Sequence, residues 1–379
     1  MSTHLELLER ALMSAGEARL YLRPLGINAG EAAAALRRSG QALPLAGGPL
    51  VFETALVILR RHGGRENIPV PATALAAWAE RATGALEARL AELLRRLSAP
   101  RPAFSWSAGA PPWLMGIVNV TPDSFSDGGA LADAAAAIVH ARVLAAQGAA
   151  ILDIGGESTR PGATPVPPEV EVERVRPVLG GLGAARPAGV ALSIDTRRAA
   201  VMREALALGV DILNDVSALT ADADSMLVAG ASDAAVVLMH MPDEPARMNL
   251  APRYDDVALD VFDFLEARID ACVRAGIDRR RLIVDPGIGF GKHGPHNVAV
   301  LEQIALYHGL GCPILLGVSR KGLSETHQKL SPRERLPASY AATMHALTQG
   351  VQILRAHDVA ETAQVVHIWR HLTGIAGEG

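Results

Sequence analysis

Residues 114–129, LMGIVNVTPDSFSDGG, begin as a short apolar run and break abruptly into a polar loop at Asn119. The apolar run, Leu114 to Val118, is typical of a buried β-strand. The loop has turn residues, but it also contains a carboxamide, two carboxylates and an aromatic ring within nine residues. Loops at strand ends are where rigid scaffolds carry their chemistry, so we interpret this segment as part of a functional site.

The change from an apolar run to a polar end recurs along the rest of the chain. Uninterrupted apolar runs are typical of strands in a parallel sheet that is buried on both faces. The eight runs are 114–118, 150–154, 190–194, 210–213, 235–239, 282–284, 314–318 and 351–354. Helical patterns fill the gaps between them, which predicts an α/β protein with a closed (β/α)8 TIM barrel. An open doubly wound sheet is the alternative, and the lack of a dinucleotide-binding fingerprint disfavours it.

A proline-rich linker at residues 98–112, SAPRPAFSWSAGAPP, divides the chain. Before it, residues 72–97 predict one long amphipathic helix, residues 31–38 a short helix and residues 20–22 a strand. No chemical motif lies in this first part. The sequence therefore predicts a small, mainly helical N-terminal extension of unknown role, residues 1–105, and a catalytic barrel, residues 112–379.

Composition excludes several classes of partner. The chain has 379 residues, 49% of them apolar, a formal net charge of −4 and no block of lysine or arginine. Nucleic acid and anionic membranes are therefore poor partners. The N-terminus has no apolar segment typical of a secretory signal, and no apolar stretch is long enough to span a bilayer. Cys272 and Cys312 have no metal or redox spacing, so we expect buried reduced thiols in a cytoplasmic protein.

Polar groups follow every predicted strand, and a parallel barrel brings those strand ends together at one face. Lys321, Arg355 and His357 follow the last two strands, where barrels commonly hold phosphate. Their charge and hydrogen-bond donors suit a pyrophosphate or a phosphate ester. An Asp or Asn beside a pyrophosphate commonly shares Mg²⁺ with it, because Mg²⁺ takes few protein ligands.

A second set of strand-end groups, Asp195, Asn214 and Asp285, offers hydrogen-bond acceptors and a carboxamide. This set suits a flat heterocycle with an amide and an amino group. The loops at 119–129 and 155–165 are placed to close over the site. Met239 has two interpretations that stay open, as core filler or as a side chain packed on a planar ligand.

One glycine-rich segment resembles a phosphate-binding loop but does not match its spacing. Residues 287–292, GIGFGK, fail both the Walker pattern and GxGxxG. We interpret them as a tight strand–helix turn with Lys292 at the edge of the site. His293 and His296, which follow, have no third ligand in view, and we expect solvent-facing loop residues rather than a metal site.

The motifs MGIVNVTPDSFSDGG, DIGGESTRPGA, SIDT, LNDVSAL, LMHM, DPGIGFGK, GVSRKG and RAHDV follow one another along residues 113–375. In this order they resemble the dihydropteroate synthase family. That family uses a barrel to condense 6-hydroxymethyl-7,8-dihydropterin pyrophosphate with para-aminobenzoate, giving 7,8-dihydropteroate and pyrophosphate in folate synthesis. The resemblance implies the same reaction here, Mg²⁺ as the cofactor, and a homodimer formed through the outer helices.

The resemblance also implies roles for individual residues. The implied pterin pocket contains Asp195, Asn214, Asp285 and Lys321, with Met239 beside the ring in one of its two interpretations; the implied pyrophosphate clamp is Arg355 and His357; the implied aminobenzoate site contains Phe125, Asp127, Thr159, Arg160 and Pro161; and Asn119 is the residue implied near Mg²⁺.

The mechanism that the resemblance implies is dissociative. Mg²⁺ and the clamp stabilise the departing pyrophosphate, and Asp285 and Asp127 stabilise the methylene cation. The arylamine is neutral at pH 7, so it needs positioning rather than a strong base. The residues implied as catalytic are Asp285, Lys321, Arg160 and Asp127.

Two features depart from the family's simplest pattern. Gly322 follows Lys321 where many relatives have a serine that helps to hold the aminobenzoate carboxylate, and the barrel is preceded by an extension that the minimal enzyme lacks. The second loop carries no insertion, so we expect sulfonamides to inhibit as aminobenzoate mimics.

Two alternatives stay open: a methyltetrahydrofolate corrinoid methyltransferase, which has no use for STRPG or SRK, and a non-catalytic pterin-binding paralogue, which is expected to have lost loop residues.

Overall fold

The computed structural model describes residues 3–81, 83–107, 109–120, 130–158, 165–244, 247–248 and 252–375. Two sheets organise these residues. The first is an antiparallel sheet of four strands near the N-terminus, and the second is a parallel sheet of eight strands. Phe125, Asp127, Thr159, Arg160 and Pro161 lie outside the described residues.

The N-terminal extension combines helices with a sheet. Its elements are α1 (Thr3–Met13), β1 (Arg19–Asn28), α2 (Gly30–Arg38), β2 (Leu43–Pro44), β3 (Val51–Arg61), β4 (Gly64–Pro71), α3 (Ala72–Ala79) and α4 (Ala85–Ser98). The central strand β3 pairs with β1 along one edge and with β2 and β4 along the other. The predicted helix at 72–97 is divided in two, because α3 ends at Ala79 and α4 begins only after Gly84.

The eight predicted barrel strands are confirmed. They are β5 (Trp113–Asn119), β6 (Ile151–Gly155), β7 (Ala191–Asp195), β8 (Ile212–Asp215), β9 (Ala235–Met239), β10 (Leu282–Asp285), β11 (Leu315–Gly317) and β12 (Ile353–Ala356). Neighbours pair in parallel from β10 through β5 to β12 and β11. A bridge between Val284 and Ile314 joins the two ends, with the Val284 N–H donating to the Pro313 carbonyl at 2.9 Å. The sheet is therefore closed.

Helices surround the barrel and cover its outer face. They are α5 (Ala130–Ala146), α6 (Pro168–Ala184), α7 (Ala199–Ala207), α8 (Ser225–Gly230), α9 (Val257–Arg274), α10 (Gly294–Glu302), α11 (Glu325–Gln328), α12 (Leu336–Thr348) and α13 (Val359–Thr373). No helix in the described part of the chain is long and apolar enough to cross a membrane. Cys272 and Cys312 are buried and free, as predicted.

Inside the barrel, side chains change from apolar to polar along the strands. Alternate residues of a strand point to the same face. The lower interior layer is apolar and is covered from below by linker residues Phe104 and Trp106. One step of the alternation further along, Ile151 gives way to Asp153 and Ile353 to Arg355. The fold thus places a polar layer at the carboxyl ends of the strands, above a dry floor.

The extension is fixed to the barrel by a row of ion pairs. Arginines of the extension contact carboxylates on or beside α9, as in the pairs Arg60–Asp260 at 2.6 Å and Arg65–Asp256 at 2.7 Å. Glu266 pairs with Arg89 at 2.8 Å and with Arg96 at 3.0 Å. The apolar core is continuous across this junction. Residues 3–98 are therefore an integral part of the folded protein as described.

Candidate active site

Asp153 is the hub of the polar layer. Its side chain is fully buried. The carboxylate accepts hydrogen bonds from Ser193 Oγ at 2.6 Å, Asn214 Nδ2 at 3.1 Å and Arg355 Nε at 2.7 Å. Because an N–H of the Asn214 amide donates to Asp153, the amide faces the site with its oxygen, which can accept from a ligand. Asp153 therefore orients two of the residues that the sequence placed in the site.

Asp195 contributes an acceptor oxygen that has no hydrogen-bond partner among the described residues. One oxygen, Oδ2, accepts from Arg355 Nη2 at 2.7 Å. The other, Oδ1, is buried and has no hydrogen-bond partner among the described residues. Burial raises the pKa of Asp195 against the pull of Arg355. A buried, unsatisfied carboxylate oxygen is costly, so this atom marks a position where a ligand donor is needed.

Arg355 holds these two carboxylates together. Burial opposes its charge, but Asp153 and Asp195 outweigh burial and raise the pKa of Arg355. In this arrangement its guanidinium faces the interior carboxylates, leaving Nη1 as the donor not used by them. Its predicted role in a pyrophosphate clamp stays a prediction.

Asp285 and Lys321 form the opposite side of the polar layer. Asp285 Oδ1 accepts the Gly287 N–H at 2.7 Å, and burial raises its pKa against the charge of Lys321. Burial lowers the pKa of Lys321 to about 8, against the opposing effect of Asp285. Lys321 Nζ donates to the Ile288 carbonyl at 2.6 Å and lies 4.6 Å from the centroid of the Phe290 ring. Among the described residues Nζ makes this one hydrogen bond, so the ammonium keeps donors for an incoming ligand.

Lys292, which was predicted at the edge of the site, contacts the glycine-rich turn and the residue that follows β9. Its side chain is buried, only 3% exposed, and its ammonium contacts His240 Nδ1 at 2.9 Å. Burial, and then Lys292, lower the pKa of His240 well below its usual value. Carbonyl groups of the glycine-rich turn accept hydrogen bonds from this buried ammonium, which offsets the cost of its burial.

The segment after β11 is shaped by a turn at Arg320. This residue has a φ of 58°, the left-handed region, and its guanidinium pairs with Asp358 at 2.8 Å from Nε. Ser319 Oγ lies 3.1 Å from His357 Nδ1 and accepts the His357 backbone N–H at the same distance. His357 is thus held beside the end of β11.

Gly322, the departure from the family's pattern, packs against α11. A Cβ at this position would lie 2.7 Å from Gln328 Cγ and 3.0 Å from Gln328 Cα. A serine here would therefore require Gln328 to shift.

The base of the second loop is tied by Glu157. Its carboxylate accepts from Arg197 Nε at 3.0 Å and from the Val166 N–H at 3.2 Å. Glu157 and Val166 flank the predicted aminobenzoate residues of this loop. Nearby, Glu171 of α6 is completely buried, and neither carboxylate oxygen has a hydrogen-bond partner in the described structure. Burial raises the pKa of Glu171 to about 7.

Asn119 is the residue that was predicted near Mg²⁺. Asn119 ends β5, is partly exposed, and pairs in register with Gly155 of β6. No group of three or more His, Cys, Asp or Glu side chains in the described residues is arranged to hold a metal. A lone carboxamide fits an ion that takes most of its oxygen ligands from water and substrate phosphate.

The structure thus brings together the predicted residues Asp195, Asn214, Asp285, Lys321 and Arg355. Met239 is buried and pairs in register with Asp285, so both of its interpretations stay open. Asp153 was predicted only as a polar group at the end of its apolar run and was given no role, whereas Ser193 and Phe290 were not predicted as site residues. The alternation of the strands would have placed Asp153 and Ser193 in the site, because they share the interior face with Gly155 and Asp195.

The fold and this site belong to a known class. The chain belongs to the family of pterin binding enzymes, whose model matches residues 115–357. Its relatives include the dihydropteroate synthase of Neisseria meningitidis serogroup B, 45% identical over 70% of this chain and 97% of the relative.

Two solved structures are similar in both sequence and fold. A Xanthomonas albilineans dihydropteroate synthase with 4-aminobenzoic acid is 45% identical, with a TM-score of 0.65 over 70% of this chain and 94% of that one. A Yersinia pestis dihydropteroate synthase with a sulfonamide drug complex is 39% identical, with a TM-score of 0.64 over 70% and 95% of the two chains.

Proposed function

We propose that the chain is a dihydropteroate synthase, a transferase that joins 6-hydroxymethyl-7,8-dihydropterin pyrophosphate to para-aminobenzoate. The products are 7,8-dihydropteroate and pyrophosphate. The observation that carries this proposal is the unpaired Asp195 Oδ1, buried beside Asn214 at the mouth of the barrel. Family membership and the named relatives point the same way.

The polar layer suits the hydrogen-bonding edge of a pterin. A pterin presents ring and exocyclic N–H donors along one edge, and Asp195 Oδ1 and the Asn214 oxygen are acceptors for such donors. Asp285 supplies a carboxylate on the opposite side, and Lys321 an ammonium. Because these groups are held by Asp153, Gly287 and Ile288, little reorganisation is needed on binding.

We propose that the pyrophosphate binds beside the polar and cationic side chains at the carboxyl ends of the last two barrel strands. Arg355, with His357 beside Ser319, would receive it, and Asn119 would hold one Mg²⁺ together with the phosphate oxygens. The metal would supply neutralisation of the leaving group's charge. Departure of pyrophosphate would leave a methylene cation conjugated with the pterin, and the Asp285 carboxylate is proposed to stabilise it.

The second substrate is proposed to bind between Lys321 and the two loops. The Phe290 ring under the Lys321 ammonium gives a flat apolar surface beside a cation, which suits an aromatic carboxylate. Phe125, Asp127, Thr159, Arg160 and Pro161 would complete this pocket, and Arg160 and Asp127 are its proposed catalytic members. Because the arylamine attacks as a neutral nucleophile, the site needs to orient it rather than deprotonate it.

The synthase is distinguished from a non-catalytic pterin-binding paralogue by one experiment. The protein, Mg²⁺ and the pterin pyrophosphate are mixed with and without para-aminobenzoate, and pyrophosphate release is followed. A synthase releases pyrophosphate only when the arylamine is present. Tight pterin binding without any release would instead identify the paralogue, and methyl transfer from methyltetrahydrofolate to a corrinoid would identify the methyltransferase.

The homodimer and the cytoplasmic location stay predictions. The outer helices of the barrel that the extension leaves uncovered are the proposed dimer surface. Sedimentation equilibrium of the full chain tests it, and a single species at the 39.7 kDa mass of one chain would contradict it.

A further inference from the structure

The buried ammonium of Lys292 holds two parts of the site together. Its Nζ lies 2.9 Å from the Gly287 carbonyl oxygen and 3.1 Å from that of Phe290, both in the glycine-rich turn. On the other side it lies 2.9 Å from His240 Nδ1 and 3.4 Å from the His240 carbonyl, at the end of β9. Lys292 thus ties the turn after β10 to the neighbouring strand.

The donors of this lysine are fully used. An ammonium has three protons, and three acceptors lie within 3.1 Å of Nζ: Gly287 O, Phe290 O and His240 Nδ1. The side chain is also shut off from solvent. Lys292 therefore has no proton to give to a substrate, and its effect on a ligand has to act through its neighbours.

Those neighbours are contacts of the residues in the proposed pterin pocket. Within the same turn, the Gly287 N–H binds Asp285 Oδ1 and the Ile288 carbonyl accepts from Lys321 Nζ. The turn approaches the residue after β9 closely at Gly287. Gly287 has a φ of +69°, and a Cβ there would lie 2.0 Å from the His240 carbonyl oxygen.

We propose that Lys292 is a positioning residue for Lys321 and Asp285, because it fixes the 286–291 turn whose backbone groups orient both side chains. The proposal rests on the proposed function for its ligand. It adds a residue to the site that is neither strand-end nor exposed. Removing its ammonium frees the Gly287 and Phe290 carbonyls, so the turn loses its anchor to β9 and Lys321 loses its fixed acceptor.

The test is a double-mutant cycle on binding of the pterin pyrophosphate, measured by calorimetry with Mg²⁺ present. Lys292→Met keeps the length and volume of the side chain without its charge. We expect it to weaken binding about tenfold in the wild-type background, the loss typical of residues that orient a ligand-contacting group. In a Lys321→Ala background we expect a clearly smaller further loss, about threefold, because Asp285 is then the one side chain of the proposed pair that the turn still orients.

The matched control is Lys329→Met, which removes an exposed lysine outside the site and is expected to leave affinity unchanged. Equal losses from Lys292→Met with and without Lys321 would overturn the proposal, since a purely structural role is additive. If Lys292→Met does not fold, Lys292→Gln, which keeps two donors without the charge, decides the same cycle. Wild-type protein that fails to bind the pterin pyrophosphate would refute the proposed function instead.

Discussion

Replacing Asp153 by asparagine removes the charge at the centre of the site while keeping the shape. Three donors converge on this buried carboxylate, from Ser193, Asn214 and Arg355. An asparagine offers a single oxygen and turns an N–H₂ group toward one of these donors. Arg355 keeps its second partner, Asp195, so the buried cation is only half-compensated rather than isolated.

The size of the effect follows from this arrangement. Removing one partner of a buried ion pair typically costs 3–5 kcal/mol, and a retained partner reduces that loss. We therefore expect Asp153→Asn to lower the free energy of unfolding by about 3 kcal/mol. Asn214 also loses the bond that orients its amide, so affinity for the pterin pyrophosphate is expected to fall about tenfold.

The assay is urea unfolding followed by circular dichroism, with calorimetric titration of the pterin pyrophosphate on the folded variant. The control is Asp224→Asn, which breaks the exposed pair with Arg203 at 2.7 Å and is expected to change stability by less than about 0.5 kcal/mol. A loss of stability for Asp153→Asn no larger than for the control, with unchanged affinity, would refute the hub role of Asp153.

Three further predictions concern the buried Glu171, the ion pairs of Glu266 and the binding of the second substrate. Glu171→Gln removes a buried acid with a pKa of about 7, against an ordinary 4.5. Such an acid stabilises the fold below pH 4.5 and loses that effect as pH rises through 7, so wild-type stability should decline by up to about 3 kcal/mol relative to the variant over this interval; parallel pH profiles of urea unfolding would contradict this. Glu266→Gln weakens the contacts with Arg89 and Arg96 that fix the extension. It is expected to cost about 2 kcal/mol of stability without changing pterin affinity, and an affinity loss in calorimetry would contradict a purely structural extension. Sulfonamides are expected to inhibit competitively with para-aminobenzoate in steady-state kinetics, and inhibition unaffected by raising the arylamine concentration would count against the proposed second pocket.

The barrel could be predicted from the sequence because its signal is local. Each strand is a short uninterrupted apolar run, and each run is followed by a helical pattern, so the elements can be counted without knowing their partners. The antiparallel sheet of the extension was largely missed. Its pairing is non-local, joining Arg19 to Arg60, and β4 reads GRENIPVP, a polar, proline-containing edge strand.

The same difference between local and non-local signals applies to the site residues. Asp195, Asn214 and Asp285 were found because they end their strands, and parallel topology brings strand ends together. Asp153 was predicted as a polar group near its strand end, but its role as the hub was not, because a buried charge is acceptable only with partners that the sequence does not show. The burial of Lys292 was not predicted for a related reason, since its acceptors are carbonyl groups of a turn whose shape depends on backbone angles.

Condensation of the two substrates is demonstrated most directly by measuring both products of one reaction mixture. Purified full-length protein is supplied with Mg²⁺, the pterin pyrophosphate and para-aminobenzoate, and 7,8-dihydropteroate and pyrophosphate are quantified together. A dihydropteroate synthase forms equal amounts of the two products, and it forms neither product when para-aminobenzoate is omitted. Pyrophosphate without dihydropteroate would show hydrolysis instead of condensation, and would contradict the proposed function.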